Sequence, residues 1–255
     1  MITIKSQYEI DIMKKAGEIT ANALEKIRQA ITPGITTLEI DRIAEDYIKS
    51  KGAQPSFKGY KGLPGAMDFP ASICASVNNE VVHGIPGLRM LKDGDIISID
   101  IGVYFNGYHG DAARTYPVGT VSDEAKKLIE VTKESFYEGI KYAVERNRIV
   151  DISAAIQKYV ERCGYSVVRE YVGHGIGREM HEAPQVPNYR TRERGPRLQQ
   201  GMTLAIEPMV NQGGYQVKIL DNRWTVVTAD GSLSAHYENS ILITNDQPYI
   251  LTINK

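Results

Sequence analysis

Residues 96–115, IISIDIGVYFNGYHGDAART, fix a strand register on their own. At their centre lies Asn106-Gly107, a pair suited to the positive φ angles of a type I′ hairpin turn. With Phe105 opposite Tyr108, Gly102 faces Asp111 and Ala113 faces Asp100, so all four of these residues share one face of the hairpin. Two carboxylates then become diagonal neighbours on an otherwise apolar ribbon, with Gly102 and Ala113 leaving space beside them. Like charges in such a place repel, so the pair calls for a cation or a shared proton.

The segments around the hairpin alternate between helical and extended patterns. A helix is predicted over residues 6–31. A second opens with the capping-box pattern Thr36-Thr37-Leu38-Glu39 and runs to about residue 51. Short β-branched runs follow at 73–77, 96–103 and 113–117. The order then repeats, with a long helix capped near Ser122 and a shorter one over 151–163 closed by Gly164. The two series echo each other in Gly94-Asp-Ile-Ile-Ser-Ile-Asp100 and Gly201-Met-Thr-Leu-Ala-Ile-Glu207, each a glycine, an apolar run and an acid. The expectation is an α/β (α+β) architecture of two helix-helix-strand halves around a central, mainly antiparallel sheet. No linker divides the chain, so residues 1–255 are read as one domain with pseudo-repeats of roughly 1–120 and 121–255.

Composition removes several function classes. Thirty Lys and Arg stand against 31 Asp and Glu, and the net charge of −1 gives no long-range field toward nucleic acid or anionic lipid. No apolar run reaches the roughly 20 residues of a membrane span, and Glu9 and Asp11 lie where a signal peptide would be apolar. The only cysteines, Cys74 and Cys163, form no C-x-x-C pair and no disulfide framework. The expectation is a soluble, cytoplasmic protein with no role for membrane or nucleic acid.

Two further acids end apolar runs. Glu207 follows Leu204-Ala205-Ile206, and Glu238 precedes the core-like stretch 239–243. The five histidines each sit beside Gly, Pro or a candidate acid: His83, His109, His174, His181 and His236. Two Asp, two Glu and at least one His make a hard, oxygen-rich donor set that suits two divalent ions rather than a thiolate zinc site. Four carboxylates supply −4, which two such ions neutralise, and the implied chemistry is metal-assisted hydrolysis. Mn, Fe, Co and Zn all fit these donors. Spacing alone does not choose His174 over His181.

Taken together, Ser98-Ile-Asp100, His109-Gly-Asp111, Gly173-His174-Gly-Ile-Gly177, Ala205-Ile-Glu207-Pro208 and Tyr237-Glu238 resemble the motifs of the type I methionine aminopeptidases of the pita-bread fold, over nearly the whole chain. The resemblance implies that Asp100, Asp111, His174, Glu207 and Glu238 are metal ligands, with Asp111 and Glu238 shared between two ions and Glu207 also catalytic. By the same resemblance, His83 and His181 act on the substrate from outside the metal shell, assisting the developing oxyanion and the leaving nitrogen. It implies a methionine side-chain pocket built from Tyr60, Cys74, Met180 and Trp224, with Phe57, Leu63 or Phe69 as further walls. Soft apolar and aromatic groups of this kind enclose a thioether well. The implied substrates are N-terminal methionyl peptides and nascent polypeptides with a small second residue, with the ribosome as a meeting place; a monomer is the default expectation.

The chain departs from the family pattern at three places. The stretch 62–70 is longer than the usual loop before Cys74, Met180 stands where Phe is common, and His236 where Gln is common. None of these removes a ligand. Proline-specific hydrolases of the same fold carry an additional N-terminal domain, whereas about 70 residues, mostly in two helices, precede the first strand predicted here.

Overall fold

The structure, a computed structural model, describes residues 2–62, 65 and 67–254. Ser6 caps α1 (Gln7–Ala30) with its hydroxyl on the Glu9 amide, while the Glu9 carboxylate accepts the Ser6 amide at 2.8 Å. Thr36 and Glu39 repeat the device at the start of α2 (Thr37–Ser50). The expected hairpin forms, with strands Ile96–Phe105 and Tyr108–Pro117 joined at Asn106 (φ 47°) and Gly107 (φ 89°). Its register pairs Gly102 with Asp111 and Asp100 with Ala113.

Alternation then separates the two faces of the hairpin. Ile97, Ile99, Ile101 and Val103 pack into a core with Ile19, Leu24 and Ile27 of α1 and Ile40, Ala44 and Ile48 of α2. Burying each large aliphatic side chain contributes about 1.5–3 kcal/mol. The helix pair therefore holds one face firmly, and Ser98, Asp100 and Gly102 are left on the other.

A second helix pair, α3 (Asp123–Ile140) and α4 (Ile149–Arg162), builds a separate core. There Leu128, Phe136, Ile152 and Ile156 meet Leu204, Ile206, Val210 and Ile241. The helix α4 begins two residues before the expected position 151, because Asp151 is not its cap. Its carboxylate accepts the Arg148 amide at 2.8 Å from inside the first turn.

The expected central sheet is, among the described residues, four antiparallel sheets of four, three, three and five strands. Most strands are short, and shifts of register at His174/Gly175 and Val226/Val227 interrupt the ladders. In the five-stranded sheet the order is Tyr249–Ile250, Asn239–Leu242, Thr203–Ile206, Gly173–Gly175, Glu182–Val186. Among the described residues, strand Tyr108–Pro117 has Ile96–Phe105 as its one strand partner, so its other edge is open to meet the second half of the chain.

Glu9 links α1 to this hairpin. Its carboxylate accepts the Tyr108 hydroxyl at 2.6 Å, and that bond, followed by those from Ser6, holds its pKa at about 2 against an ordinary 4.5. Because the folded-state value is depressed, this stabilisation is present above about pH 4.5 and lost as the pH falls toward 2. Glu9→Gln is expected to lower the urea midpoint at pH 6, with the gap to wild type narrowing at pH 3. A gap independent of pH would exclude the charge as its origin.

Candidate metal centre and pocket

Four short pieces of backbone deliver acids to one place. Asp100 and Asp111 come from the polar face of the hairpin. Glu207 directly follows strand Thr203–Ile206, and Glu238 lies between strands Ser234–His236 and Asn239–Leu242. His174 sits in the middle of strand Gly173–Gly175, opposite Ala205. All five side chains line one cavity of about 140 Å³. Asp111, His174 and Glu238 each offer a ligand atom within 4.8 Å of the others.

The electrostatics of this cluster are unfavourable without a cation. Burial and the charges of Glu238 and Asp100 push the Asp111 carboxyl well above the ordinary range. Burial acts likewise on Glu207, reinforced by Asp100 and Asp111, and on Glu238, reinforced by Glu207 and Asp100. Asp100 is pushed up to about 7, chiefly by burial. Asp100 Oδ1, Asp111 Oδ1 and Glu238 Oε1 are buried with no hydrogen-bond partner among the described residues. Buried carboxylate oxygens without donors are what an oxygen-coordinated divalent ion satisfies, so these residues fit such a group.

The imidazole of His174 is oriented for the same purpose. Its Nδ1 lies 2.8 Å from the Gly175 carbonyl, so Nδ1 carries the proton and donates, leaving the Nε2 lone pair open. That Nε2 is 3.6 Å from Glu207 Oε1 and 3.8 Å from Asp111 Oδ2, too far for hydrogen bonds and suited to atoms grouped about a shared centre. Burial, then His181, lowers the His174 pKa to about 3, which keeps the ring neutral.

Above the acids the cavity is apolar and aromatic. Phe57, Tyr60, Phe69, Cys74 and Trp224 line it together with His83 and His181. Phe69 meets Trp224 edge to face at a centroid distance of 5.1 Å. The loop that carries this wall is closed by backbone bonds from Gly59 to Phe69 and from Phe69 to Tyr60, both 2.8 Å. Tyr60 Oη lies 2.7 Å from His181 Nδ1, and His83 adopts a left-handed φ of 60° beside Trp224. A cavity of about 150 Å³ holds benzene, so this one has room for a group of about that size.

Some expectations land elsewhere. Met180 is buried but is not among the side chains that line the cavity. Leu63 lies outside the described residues. The space expected beside Gly102 is filled, since a Cβ there would lie 2.7 Å from Ser56 Cβ and 2.9 Å from Phe57 Cε1; the missing side chain lets Phe57 reach the pocket wall. His109 hydrogen-bonds Ser56 and does not line the cavity. His236, expected near Glu238, places Nε2 3.8 Å from Glu207 Oε2. Sequence reasoning passed over the buried hydroxyls of Thr115 and Ser240, which bond to the backbones of His236 and Asp111. Their partners lie 121 and 129 positions away, and no local pattern marks them.

Comparison with known proteins agrees with this geometry. The pattern of metallopeptidase family M24 matches residues 11–245. The methionine aminopeptidase of Clostridium perfringens is 58% identical over 255 residues, covering 100% of both chains. Methionine aminopeptidase 1 of Bacillus subtilis is 57% identical over 252 residues, covering 99% of each. The crystal structure of the methionine aminopeptidase of Thermotoga maritima superposes with a TM-score of 0.95 at 45% identity, covering 100% of both chains. An M24 fit across most of the sequence, together with relatives alike from end to end, places this chain in metallopeptidase family M24, among its methionine aminopeptidases of the pita-bread fold.

Proposed function

We infer that the protein is a methionyl aminopeptidase, which hydrolyses the first peptide bond of chains that begin with methionine and carry a small second residue. The observation that carries this reading is the cavity itself, with metal-suited carboxylates as its floor and a methionine-sized apolar wall above them. Asp100, Asp111, His174, Glu207 and Glu238 would hold two divalent ions, of Mn, Fe, Co or Zn. When bound, such a pair polarises the scissile carbonyl and activates water.

The remaining work falls to side chains of the protein. Phe57, Tyr60, Phe69, Cys74 and Trp224 enclose the methionine side chain. Glu207 takes a proton from the attacking water and returns it to the departing amine. His83 and His181, which line the same cavity, would assist the developing oxyanion and the leaving nitrogen. Tyr60 Oη lies 2.7 Å from His181 Nδ1, and with the hydroxyl donating, the imidazole proton sits on Nε2 as a donor. The substrates would be new polypeptides met in the cytoplasm, at the ribosome, by a monomer that needs no nucleic acid or membrane for the reaction. No helix among the described residues is long and apolar enough to cross a membrane.

Two measurements test this reading. Asp111→Asn removes one charge from the centre of the cluster. The ions supply several kcal/mol of transition-state stabilisation, so kcat/KM for Met-Ala-Ser should fall by about 10³-fold or more. Full activity in that variant, or a preference of the wild type for X-Pro over Met-Ala peptides, would overturn the assignment. Metal removal is the second test. A ligand present at about 100 times its Kd stabilises the folded state by about 2.7 kcal/mol. Adding Mn²⁺ to chelator-stripped protein should therefore raise Tm by several degrees. An unchanged Tm counts against the carboxylates as a metal site.

A further inference from the structure

The free edge of strand Tyr108–Pro117 is met by the segment 236–240 from the other half of the chain, in antiparallel order. Residue 111 faces 240, 113 faces 238, and 115 faces 236. At the middle pair the contact is ordinary, with the Glu238 amide donating to the Ala113 carbonyl at 2.9 Å. At the two outer pairs a hydroxyl takes the place of a backbone strand. Ser240 Oγ accepts the Asp111 amide at 3.0 Å and donates to the Asp111 carbonyl at 2.9 Å. Thr115 Oγ1 accepts the His236 amide at 2.8 Å and donates to the His236 carbonyl at 2.9 Å. Each hydroxyl thus serves both polar groups of the residue it faces, as a hydrogen-bonded partner does in an antiparallel ladder.

The two clips point in opposite directions across the seam, one from each half of the molecule. Both are supported from behind. With its own proton committed to His236, Thr115 Oγ1 receives a hydrogen bond from Ser98 Oγ at 2.7 Å. The Ser240 amide is held by Thr252 Oγ1 at 3.1 Å, and Thr252 Oγ1 donates in turn to Asn239 Oδ1 at 3.0 Å. Arg114 closes the seam by donating to the Ala113 carbonyl at 2.8 Å and to the Glu238 carbonyl, with its guanidinium 4.2 Å from the Tyr237 ring centroid. Ser98, Thr115 and Ser240 are all buried, so no water stands in for a lost hydroxyl at low cost.

We propose that Ser240 and Thr115 are positioning residues that set the separation of Asp111 and Glu238, joining the two halves at the metal site through hydroxyl clips on either side of a single backbone bond. The inference rests on the proposed metal site. Set on either side of the direct Glu238–Ala113 bond, the two hydroxyls fix how the second half seats against the hairpin, and so hold these two acids at a fixed spacing. The clips act on the backbones of Asp111 and His236 and touch no substrate. Their effect is expected in metal affinity first and in catalysis second.

The test titrates metal-free protein with Mn²⁺ by calorimetry and follows the bound ion by electron paramagnetic resonance. Loss of an outer-shell support weakens metal binding by about 10- to 100-fold. That loss is expected in Ser240→Ala and Thr115→Val. The hydroxyl-retaining Ser240→Thr and Thr115→Ser should bind within about threefold of wild type. Ser153→Ala serves as the control, because among the described residues its buried hydroxyl bonds to the Ile149 carbonyl inside α4, away from the seam. It should lower Tm without altering Mn²⁺ affinity. Wild-type Mn²⁺ affinity and spectrum in both clip deletions would overturn the proposal, as would an equal loss of affinity in Ser153→Ala. If wild type itself binds no Mn²⁺, the proposed metal site fails instead. A second measurement holds even where a deletion does not fold: amide hydrogen exchange in wild type. The Asp111 and His236 amides should be protected as strongly as strand amides, and rapid exchange at either overturns the assignment of its clip.

Discussion

Mutual repulsion among buried carboxylates is the constraint that the rest of this fold accommodates. Asp100, Asp111, Glu207 and Glu238 line one small cavity, and each is pushed toward its neutral form by burial and, for three of them, by its neighbours' charges. Such a group cannot be the centre of a protein core. It needs rigid backbone on every side and apolar packing elsewhere. The two helix pairs meet that need, each covering one face of its strands with an aliphatic core and leaving the opposite face to the acids.

The separation of roles follows from strand alternation. On strand Ile96–Phe105 the residues at 97, 99, 101 and 103 anchor the hairpin against α1 and α2, while 98, 100 and 102 face the seam. A one-residue slip would bury the acids among isoleucines, so the packing that stabilises the fold also fixes the donor geometry. The second half reaches the cavity by different means. Glu207 is carried just past a strand end, and Glu238 lies on a connection between two strands. Backbone and hydroxyl contacts along 236–240 then tie that connection to the hairpin.

The wall above the acids shows the same economy of backbone. Gly102 has no side chain, and Ser56 and Phe57 occupy that space and close one side of the pocket. Tyr60, Phe69 and Trp224 stand together because the loop carrying two of them is bonded back on itself at Gly59 and Tyr60. A soft apolar chamber over a charged floor is the arrangement by which, under the proposed function, one cavity would bind a side chain and cleave the bond beside it.

Much of this was local enough to read directly from the chain. The turn at Asn106-Gly107 set the hairpin register, and with it the shared face of Asp100 and Asp111, because a two-residue loop leaves one way to pair its flanks. Capping boxes marked the starts of α1 and α2 for the same reason, since donor and acceptor lie three residues apart. Tertiary structure alone decided what depends on distant partners. It divided the sheet into four, left Met180 off the cavity wall, turned His236 toward Glu207, and brought Thr115 and Ser240 to bear on residues more than a hundred positions away. The physical reason is that periodicity records which face a residue takes, whereas a hydrogen bond across two independently packed halves depends on how those halves meet.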